Sequence, residues 1–192
     1  MPRPSVKKQR TEEIMQAFER CVIRYGVEGS TLERLAEESG LQRSLIRHYS
    51  GNRDDLIQAL LQRFLDESQR QTDLLIDYLP QTGVADSLVD ALFASDYHDN
   101  HYSLLANALF SAAANTPALA APLKASVDQF INAITELLHQ AHPNRTRKDC
   151  YVVASGVIGI YFNIESVHHL GDTSEWREAS LKSARLLVNT LP

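Results

Sequence analysis

The stretch LERLAEESGLQRSLIRHYSGNRDDL, residues 32–56, contains two short helical patterns separated by a glycine. Gly40 ends the first pattern and Gly51 ends the second. Helices this short are not stable unless neighbouring helices hold them. Ala36 is small enough to let two helix backbones approach, and Ile46 points back towards the packed side. The order of Ala, Gly and Ile is the spacing of a helix-turn-helix, so we expect a compact three-helix head.

Charge distinguishes this region from the rest of the chain. The whole sequence is acidic, with 19 Lys and Arg against 24 Asp and Glu. Residues 1–53 nevertheless hold ten basic against seven acidic residues, whereas residues 54–192 hold nine against seventeen. Polar side chains occupy the outer face of the second short helix: Gln42, Arg43, Ser44, Arg47 and His48. Because these residue types contact base edges and phosphates in a major groove, the front of the chain is expected to bind DNA.

The remaining sequence is a series of longer helical patterns between clear breakers. Apolar residues recur at helical spacing, as in TEEIMQAFERCVIRYG, and the β-branched residues do not alternate as they would in strands. We therefore expect an all-α fold of about nine helices, in which an N-terminal helix-turn-helix head is followed by a helical bundle.

Several classes of protein are not expected from this sequence. The longest apolar run, residues 152–162, is shorter than the ~20 residues of a membrane-spanning helix, so no membrane association is expected. Cys21 and Cys150 suit small buried side chains of a cytoplasmic protein. His98 and His101 are three residues apart with two aspartates nearby, but their segment is polar and is expected to be a loop. His168 and His169 are adjacent on a helix and would point in different directions, so neither a metal nor another cofactor is expected. Without a nucleophile elbow, a P-loop or an HExxH motif, the chain is not expected to be an enzyme.

Residues 10–60 resemble the DNA-binding head of the TetR family of bacterial transcriptional regulators. The matching positions are Gly26, Thr31, Leu35-Ala36, Ser39-Gly40-Leu41, His48-Tyr49, Arg53 and Leu56. Three positions depart from the family pattern: Ser50 replaces a Phe that normally packs in the head, Arg53 replaces a Lys, and Arg47 replaces the more common Tyr. Ser50 is therefore expected to loosen the local packing, unless Tyr49 compensates.

The resemblance implies a domain order and a function. Residues 1–8 would be a basic flexible arm, residues 9–53 the DNA-binding domain, and residues 54–192 a linking helix with the ligand-binding and dimerisation domain. The expected function is that of a homodimeric repressor, released from a palindromic operator by a small-molecule ligand. Two alternatives stay open: an activator of the same fold, and a helical protein-interaction module with a vestigial DNA-binding head.

The resemblance also assigns roles to residues of the head. Thr31 and the start of its helix would face a phosphate, Arg43 and its neighbours would read base edges, and Tyr49 and Arg53 would clamp phosphates. Basic residues of the arm would add salt-dependent affinity. The full predicted DNA-binding set is Thr31, Gln42, Arg43, Ser44, Arg47, His48, Tyr49, Arg53, Lys7, Lys8 and Arg10.

Two further sets are predicted in the second part of the chain. Apolar and aromatic side chains with a few polar groups would line a ligand pocket. They are Phe93, Tyr97, His101, Tyr102, Phe110, Phe130, Ile134, Tyr161, Phe162 and Glu165. Small and apolar residues of the last two helices would form the dimer interface. They are Ser155, Gly156, Gly159, Trp176, Leu181, Leu187, Val188 and Leu191.

Overall fold

The computed structural model describes residues 6–80, 82–94 and 100–191, and within these ranges the chain forms nine α-helices and no strand. The helices are α1 (Val6–Gly29), α2 (Leu32–Ser39), α3 (Arg43–Ser50), α4 (Arg53–Tyr78), α5 (Val84–Phe93), α6 (Asn100–Ala113), α7 (Pro117–Ala141), α8 (Arg147–Val167) and α9 (Ser174–Val188). A short 3-10 helix, His168–Leu170, follows α8. The expected all-α fold is confirmed.

The first compact unit comprises Met1–Asp66 and Leu104–Leu123. Within it, α1, α2 and α3 pack against one another. Each helix contributes side chains with no exposed surface to the shared core, among them Phe18, Leu35 and Ile46. Since neither α2 nor α3 is long enough to be stable alone, this common core is what holds the pair in place.

Local signals in the sequence define the ends of the short helices. Thr31 caps α2, because its hydroxyl oxygen accepts the backbone N–H of Arg34 at 3.3 Å. Gly40 ends α2 in the left-handed conformation, with φ 68°, which costs Gly little. Asn52 caps α4, since its side-chain oxygen accepts the backbone N–H groups of Asp54 and Asp55 at 2.8 and 3.0 Å.

Arg63 links helix α4 to α1 through ion pairs. Its guanidinium donates to Glu12 at 2.7 Å and pairs with Glu19 at 2.8 Å. The first part of α4 also contributes buried Leu56, Ile57, Leu60, Leu61 and Phe64. The compact unit therefore extends to Asp66, beyond the sequence-based boundary at residue 53, and takes in the segment Leu104–Leu123.

The second compact unit comprises Glu67–Ser103 and Lys124–Pro192. Helix α9 packs against both α8 and α5, and the core between them is aliphatic. Its most deeply buried side chains include Leu88, Val89, Ile134, Leu138, Val157, Ile158 and Ala184. Thr146 and Asp149 form a capping box at the start of α8, and this hydrogen bonding lowers the pKa of the Asp149 carboxyl.

Helix α8 is unusually apolar for the fraction of it that is buried. Together with the 3-10 helix, over Arg147–Leu170, it is long and apolar enough to cross a membrane by length and composition alone. Only 39% of its most apolar window is buried within the chain. Core helices of water-soluble proteins also reach this hydropathy, so the feature is weak evidence for a membrane span, but it leaves apolar surface on α8 to be explained.

The two cysteines are buried and unpaired. Neither Cys21 nor Cys150 has any exposed surface. Burial is the main cause that raises the pKa of both thiols, because the thiolate is poorly solvated there. Both positions therefore suit small apolar core residues better than reactive thiols.

Candidate functional site

The outer face of α3 is exposed along its length. Gln42, Arg43, Ser44, Arg47 and His48 are all exposed, whereas Ile46 is fully buried between them in sequence. One anchored side chain thus orients the helix so that every predicted base-reading residue faces outward. A rigid helix that presents its side chains in this way matches what insertion into a major groove requires.

Arg43 is held by an acidic partner on the preceding helix. Its Nη1 donates to the carboxylate of Glu33 on α2, and both side chains are well exposed. The backbone N–H of Glu33 and this bond to Arg43 lower the pKa of the Glu33 carboxyl. Because the pair lies in solvent, the guanidinium can exchange this partner for a base edge at little cost.

Arg53 has a structural role in the head as well as its predicted one. Its guanidinium donates to the backbone carbonyls of Ser30 at 3.0 Å, Val27 and Glu28. These bonds tie the start of α4 to the connection between α1 and α2. Arg53 would have to share its N–H groups between these carbonyls and a phosphate, so its phosphate contact stays a prediction.

Other predicted contacts lie at the ends of the two short helices. Thr31 is partly exposed at the start of α2, where the positive end of the helix dipole favours an anion. Tyr49 is partly exposed at the end of α3, and its ring packs edge-on against His48 with centroids 4.9 Å apart. Arg34 stacks over Tyr25 at 4.4 Å, which adds a cation beside the start of α2.

The basic N-terminal residues belong partly to a helix. Helix α1 begins at Val6, so Lys7, Lys8 and Arg10 project from its first turns and are exposed. Residues 6–8 of the predicted flexible arm are helical in the structure, and the division of the chain into domains stays a prediction. Residues 1–5 lie outside the described part of the chain.

Leu45 is an exposed apolar residue on α3 that the sequence analysis did not single out. Its side chain is 37% exposed, next to the buried Ile46 and among the polar residues of the outer face. An apolar side chain in a major groove can contact a thymine methyl group. The signal in the sequence was a pair of adjacent aliphatic residues on a helix that packs through one narrow face, where one of the two is left outside the core.

The predicted ligand residues separate into several places. Phe93, Tyr161, Phe162 and Phe130 form a connected aromatic group in the second unit, with ring centroids 5.8–6.2 Å apart. Tyr102 is partly buried in the same unit, and desolvation raises the pKa of its phenol. Glu165 is buried too, whereas Ile134 is core and His101 is exposed. Phe110 belongs to the first unit, where its ring meets Phe64, and Tyr97 lies outside the described residues.

The predicted dimer residues include some that serve the chain's own core. Val188 and Leu191 are almost fully buried, so they offer a second copy no appreciable surface. A Cβ on Gly156 would lie 3.0 Å from the Leu187 side chain, so this glycine allows α8 and α9 to approach. Large apolar side chains that remain exposed on the two helices are Tyr151, Val152, Trp176 and Leu186.

Among the described residues, no group of three or more His, Cys, Asp or Glu side chains is arranged to hold a metal ion. The rings of His168 and His169 pack edge-on, with their centroids 5.9 Å apart. The Nδ1 of His168 contacts the backbone oxygen of Glu165 at 2.6 Å, which engages this ring nitrogen in local structure.

Comparison with known proteins gives relatives of one kind. The chain is 29% identical over 93 residues to the HTH-type transcriptional regulator PksA of Bacillus subtilis, a match of 47% of this chain and 45% of that protein. It is 28% identical over 90 residues to the HTH-type transcriptional repressor AcnR of Corynebacterium diphtheriae, covering 47% and 44%. The chain thus matches less than half the length of these curated relatives. They are transcriptional regulators, in agreement with the expectation that the chain is not an enzyme.

Solved structures extend the likeness to the whole fold. A TetR transcription regulator from Haloarcula marismortui superposes with a TM-score of 0.74 and 19% identity, over 96% of this chain and 98% of that one. No family model matches the sequence. The chain therefore has the fold of the TetR family of transcriptional regulators, and the resemblance that its helix-turn-helix motif indicated is confirmed.

Proposed function

We propose that the protein is a cytoplasmic, sequence-specific DNA-binding regulator that acts as a homodimeric repressor and is released from a palindromic operator by a small molecule. The observation that carries the proposal is the exposed face of α3. Polar and cationic residues from Gln42 to His48 point outward there, and Ile46 anchors the helix from behind. A surface of this composition on a short anchored helix suits a major groove.

Dimerisation is part of the proposal because one head contacts only a few base pairs. Two heads on a symmetric site would bind half-sites about one helical turn apart, ~34–36 Å. The exposed apolar side chains of α8 and α9 are the surface we assign to the second copy. The incomplete burial of α8 favours this assignment, since a helix so apolar is seldom left facing water.

The repressing direction of control is supported by the names of some relatives. AcnR of Corynebacterium diphtheriae is called a transcriptional repressor. A repressor needs an inducing signal, and the aromatic group of the second unit is where we place it. A ligand would act by binding more tightly to a conformation that does not fit the operator.

The proposal is tested by selecting bound duplexes from a random pool and following the binding against salt concentration. We expect a palindromic site, with log affinity that falls steeply and linearly with log salt concentration as phosphate contacts release counterions. If no sequence is enriched and binding stays weak, the interaction module with a vestigial head becomes the better explanation. If a palindromic site is selected, placing it upstream of or within a promoter in a reporter strain would separate a repressor from an activator.

We predict that Arg43→Ala relaxes the choice of base at one position in each half-site, at a cost of about 1–3 kcal/mol on the preferred sequence. The matched variant Tyr49→Phe removes only a hydroxyl that we assign to a phosphate, so it should weaken all sequences equally. Both are measured by repeating the selection and by titrating single-base operator variants. Equal losses across every operator variant for Arg43→Ala would remove Arg43 from base recognition.

A further inference from the structure

A buried polar cluster lies in the second unit, formed by Ser103 of α6, Glu165 of α8 and Arg177 of α9. The Nη2 of Arg177 donates to one oxygen of Glu165 at 3.2 Å, and the hydroxyl of Ser103 donates to the other at 3.1 Å. Both charged side chains are nearly enclosed, with 14% and 11% of Arg177 and Glu165 exposed. Glu165 belongs to the predicted ligand-binding set, whereas Arg177 does not.

One nitrogen of this cluster is left without a hydrogen bond. The Nη1 of Arg177 is buried and donates to no atom of the described residues. A buried donor that has lost water and found no acceptor is costly, and such a group in a folded protein requires an explanation. An oxygen atom supplied from outside the chain would satisfy it.

Aromatic rings lie one helical turn from Glu165, the carboxylate that pairs with Arg177. Tyr161 and Phe162 precede Glu165 by four and three residues, so they share its side of α8. Their rings contact Phe93 and Phe130 with centroids about 6.2 Å apart, and Tyr161, Phe162 and Phe130 are only partly buried. An incompletely covered aromatic wall therefore adjoins a polar cluster that lacks an acceptor, which is the composition of a small-molecule site.

We infer that this is the effector site, and that it takes an aromatic compound bearing an uncharged oxygen acceptor, such as a ketone, ester or amide carbonyl. The inference rests on the proposed function for the word effector, but the site itself does not depend on DNA binding. The carbonyl oxygen accepts from Nη1 of Arg177, and the aromatic body lies against Tyr161 and Phe162.

The charge of the cluster selects an uncharged acceptor. Glu165 already pairs with Arg177, and its negative charge offsets the positive charge of the guanidinium. A ligand carboxylate would place a second negative charge beside Glu165, where the repulsion and the loss of hydration are both unfavourable. A neutral carbonyl satisfies the same nitrogen without either penalty.

The inference is tested with three probes of similar shape: acetophenone, α-methylstyrene, which has a methylene group in place of the carbonyl oxygen, and benzoate. Dissociation constants are measured by NMR titration of the full chain, followed on the backbone resonances of α8 and α9 and on the indole N–H of Trp176, the single tryptophan. We expect acetophenone to bind about tenfold more tightly than α-methylstyrene, the size of one hydrogen bond to a charged donor. Benzoate should bind more weakly than acetophenone.

Two variants locate the hydrogen bond. Arg177→Lys keeps the pairing with Glu165 but loses the planar fork, so acetophenone should bind no better than α-methylstyrene while α-methylstyrene binds as before. Arg185→Lys makes the same change on the same helix, where the side chain pairs with the exposed Asp90, and should leave all three constants unchanged. Thermal unfolding of each variant confirms that it is folded.

The outcomes separate this inference from the proposed function. Equal affinities for acetophenone and α-methylstyrene in the unaltered protein, or no binding of either at millimolar concentration, would overturn the site. If benzoate binds more tightly than acetophenone, the inference that the ligand is uncharged is overturned. Binding of acetophenone through Arg177 without any effect on the affinity for the selected operator would keep the site and remove its role as effector site.

Discussion

At the scale of single residues, two arginines of the head combine a structural contact with a predicted DNA contact, and one serine hydroxyl has no hydrogen bond. Arg43 is both a predicted base reader and the partner of Glu33, and Arg53 is both a predicted phosphate ligand and a clamp on three carbonyls. Ser50 is the opposite case, since its hydroxyl is buried without a hydrogen bond. This position is the one where the TetR-like pattern has a large apolar residue, and a polar atom is buried there instead.

We predict that Ser50→Ala stabilises the head. The substitution removes a buried hydroxyl that has no partner and should raise the free energy of unfolding by about 1 kcal/mol. The control is Ser44→Ala on the same helix, where the hydroxyl is exposed and only the small difference in helix propensity remains. Urea unfolding at constant salt measures both; a loss of stability in Ser50→Ala would mean that the hydroxyl has a partner in solution.

At the scale of elements, the head depends on the ends of its helices. Helices α2 and α3 have about two turns each, and the chain continues from α3 directly into the capped start of α4. The side-chain oxygen of Asn52 accepts two of the hydrogen bonds that begin α4. In the opposite direction, the backbone N–H of Asn52 donates to the carboxylate of Asp55 at 2.8 Å. Helix α4 in turn carries Arg63, which binds α1.

We predict that Asn52→Ala lowers the free energy of unfolding by about 1 kcal/mol, within the 0.5–2 kcal/mol range for loss of an N-cap. The matched control is Gln58→Ala, an exposed position further along α4 where Ala is a good helix former. For Gln58→Ala we therefore expect a free energy of unfolding that is unchanged or slightly higher. Equal effects of the two variants in urea unfolding would show that the cap contributes nothing specific.

The ion pair between α1 and α4 predicts a dependence on pH. Hydrogen bonding to Arg63 is the main cause that lowers the pKa of the Glu12 carboxyl below its usual 4.5. A lowered pKa in the folded state means that the stabilisation is present above pH 4.5 and is lost as the pH falls through the lowered value. Thermal unfolding of the unaltered chain and of Arg63→Gln should therefore differ at pH 7 and converge in acid. A difference that persists after the Glu12 carboxyl is protonated would assign the effect of Arg63 to packing.

At the scale of the whole molecule, the exposed apolar surface of α8 and α9 has to be accounted for. Val152 is 63% exposed and Leu186 is 71% exposed, on helices whose other faces form the core of the second unit. Exposed apolar patches of this kind mark interaction surfaces, and the proposed occupant is the same surface of a second copy.

We predict that the double variant Val152→Glu with Leu186→Glu converts a dimer into a monomer, because each charge would be buried against apolar surface at the symmetric contact. Light scattering coupled to size exclusion gives the mass, against 21.5 kDa for one chain. The control is Leu170→Glu, a similarly exposed leucine on the 3-10 helix, at 65% exposure. A monomeric mass for the unaltered protein would refute the assignment before any variant is made.

The sequence by itself determined the helical fold, the helix-turn-helix and the outer face of α3. These follow from short-range chemistry: apolar periodicity places the helices, Thr31 and Gly40 end them, and the position of Ile46 decides which side of α3 faces outward. Only the tertiary structure decided how side chains far apart in sequence are paired. It buried Val188 and Leu191 in the core, bonded Arg53 to carbonyls at the end of α1 and in the connection that follows it, and enclosed Arg177 against Glu165. Such pairings depend on which helices pack together, and a periodic pattern shows which face of a helix is buried without showing what covers it.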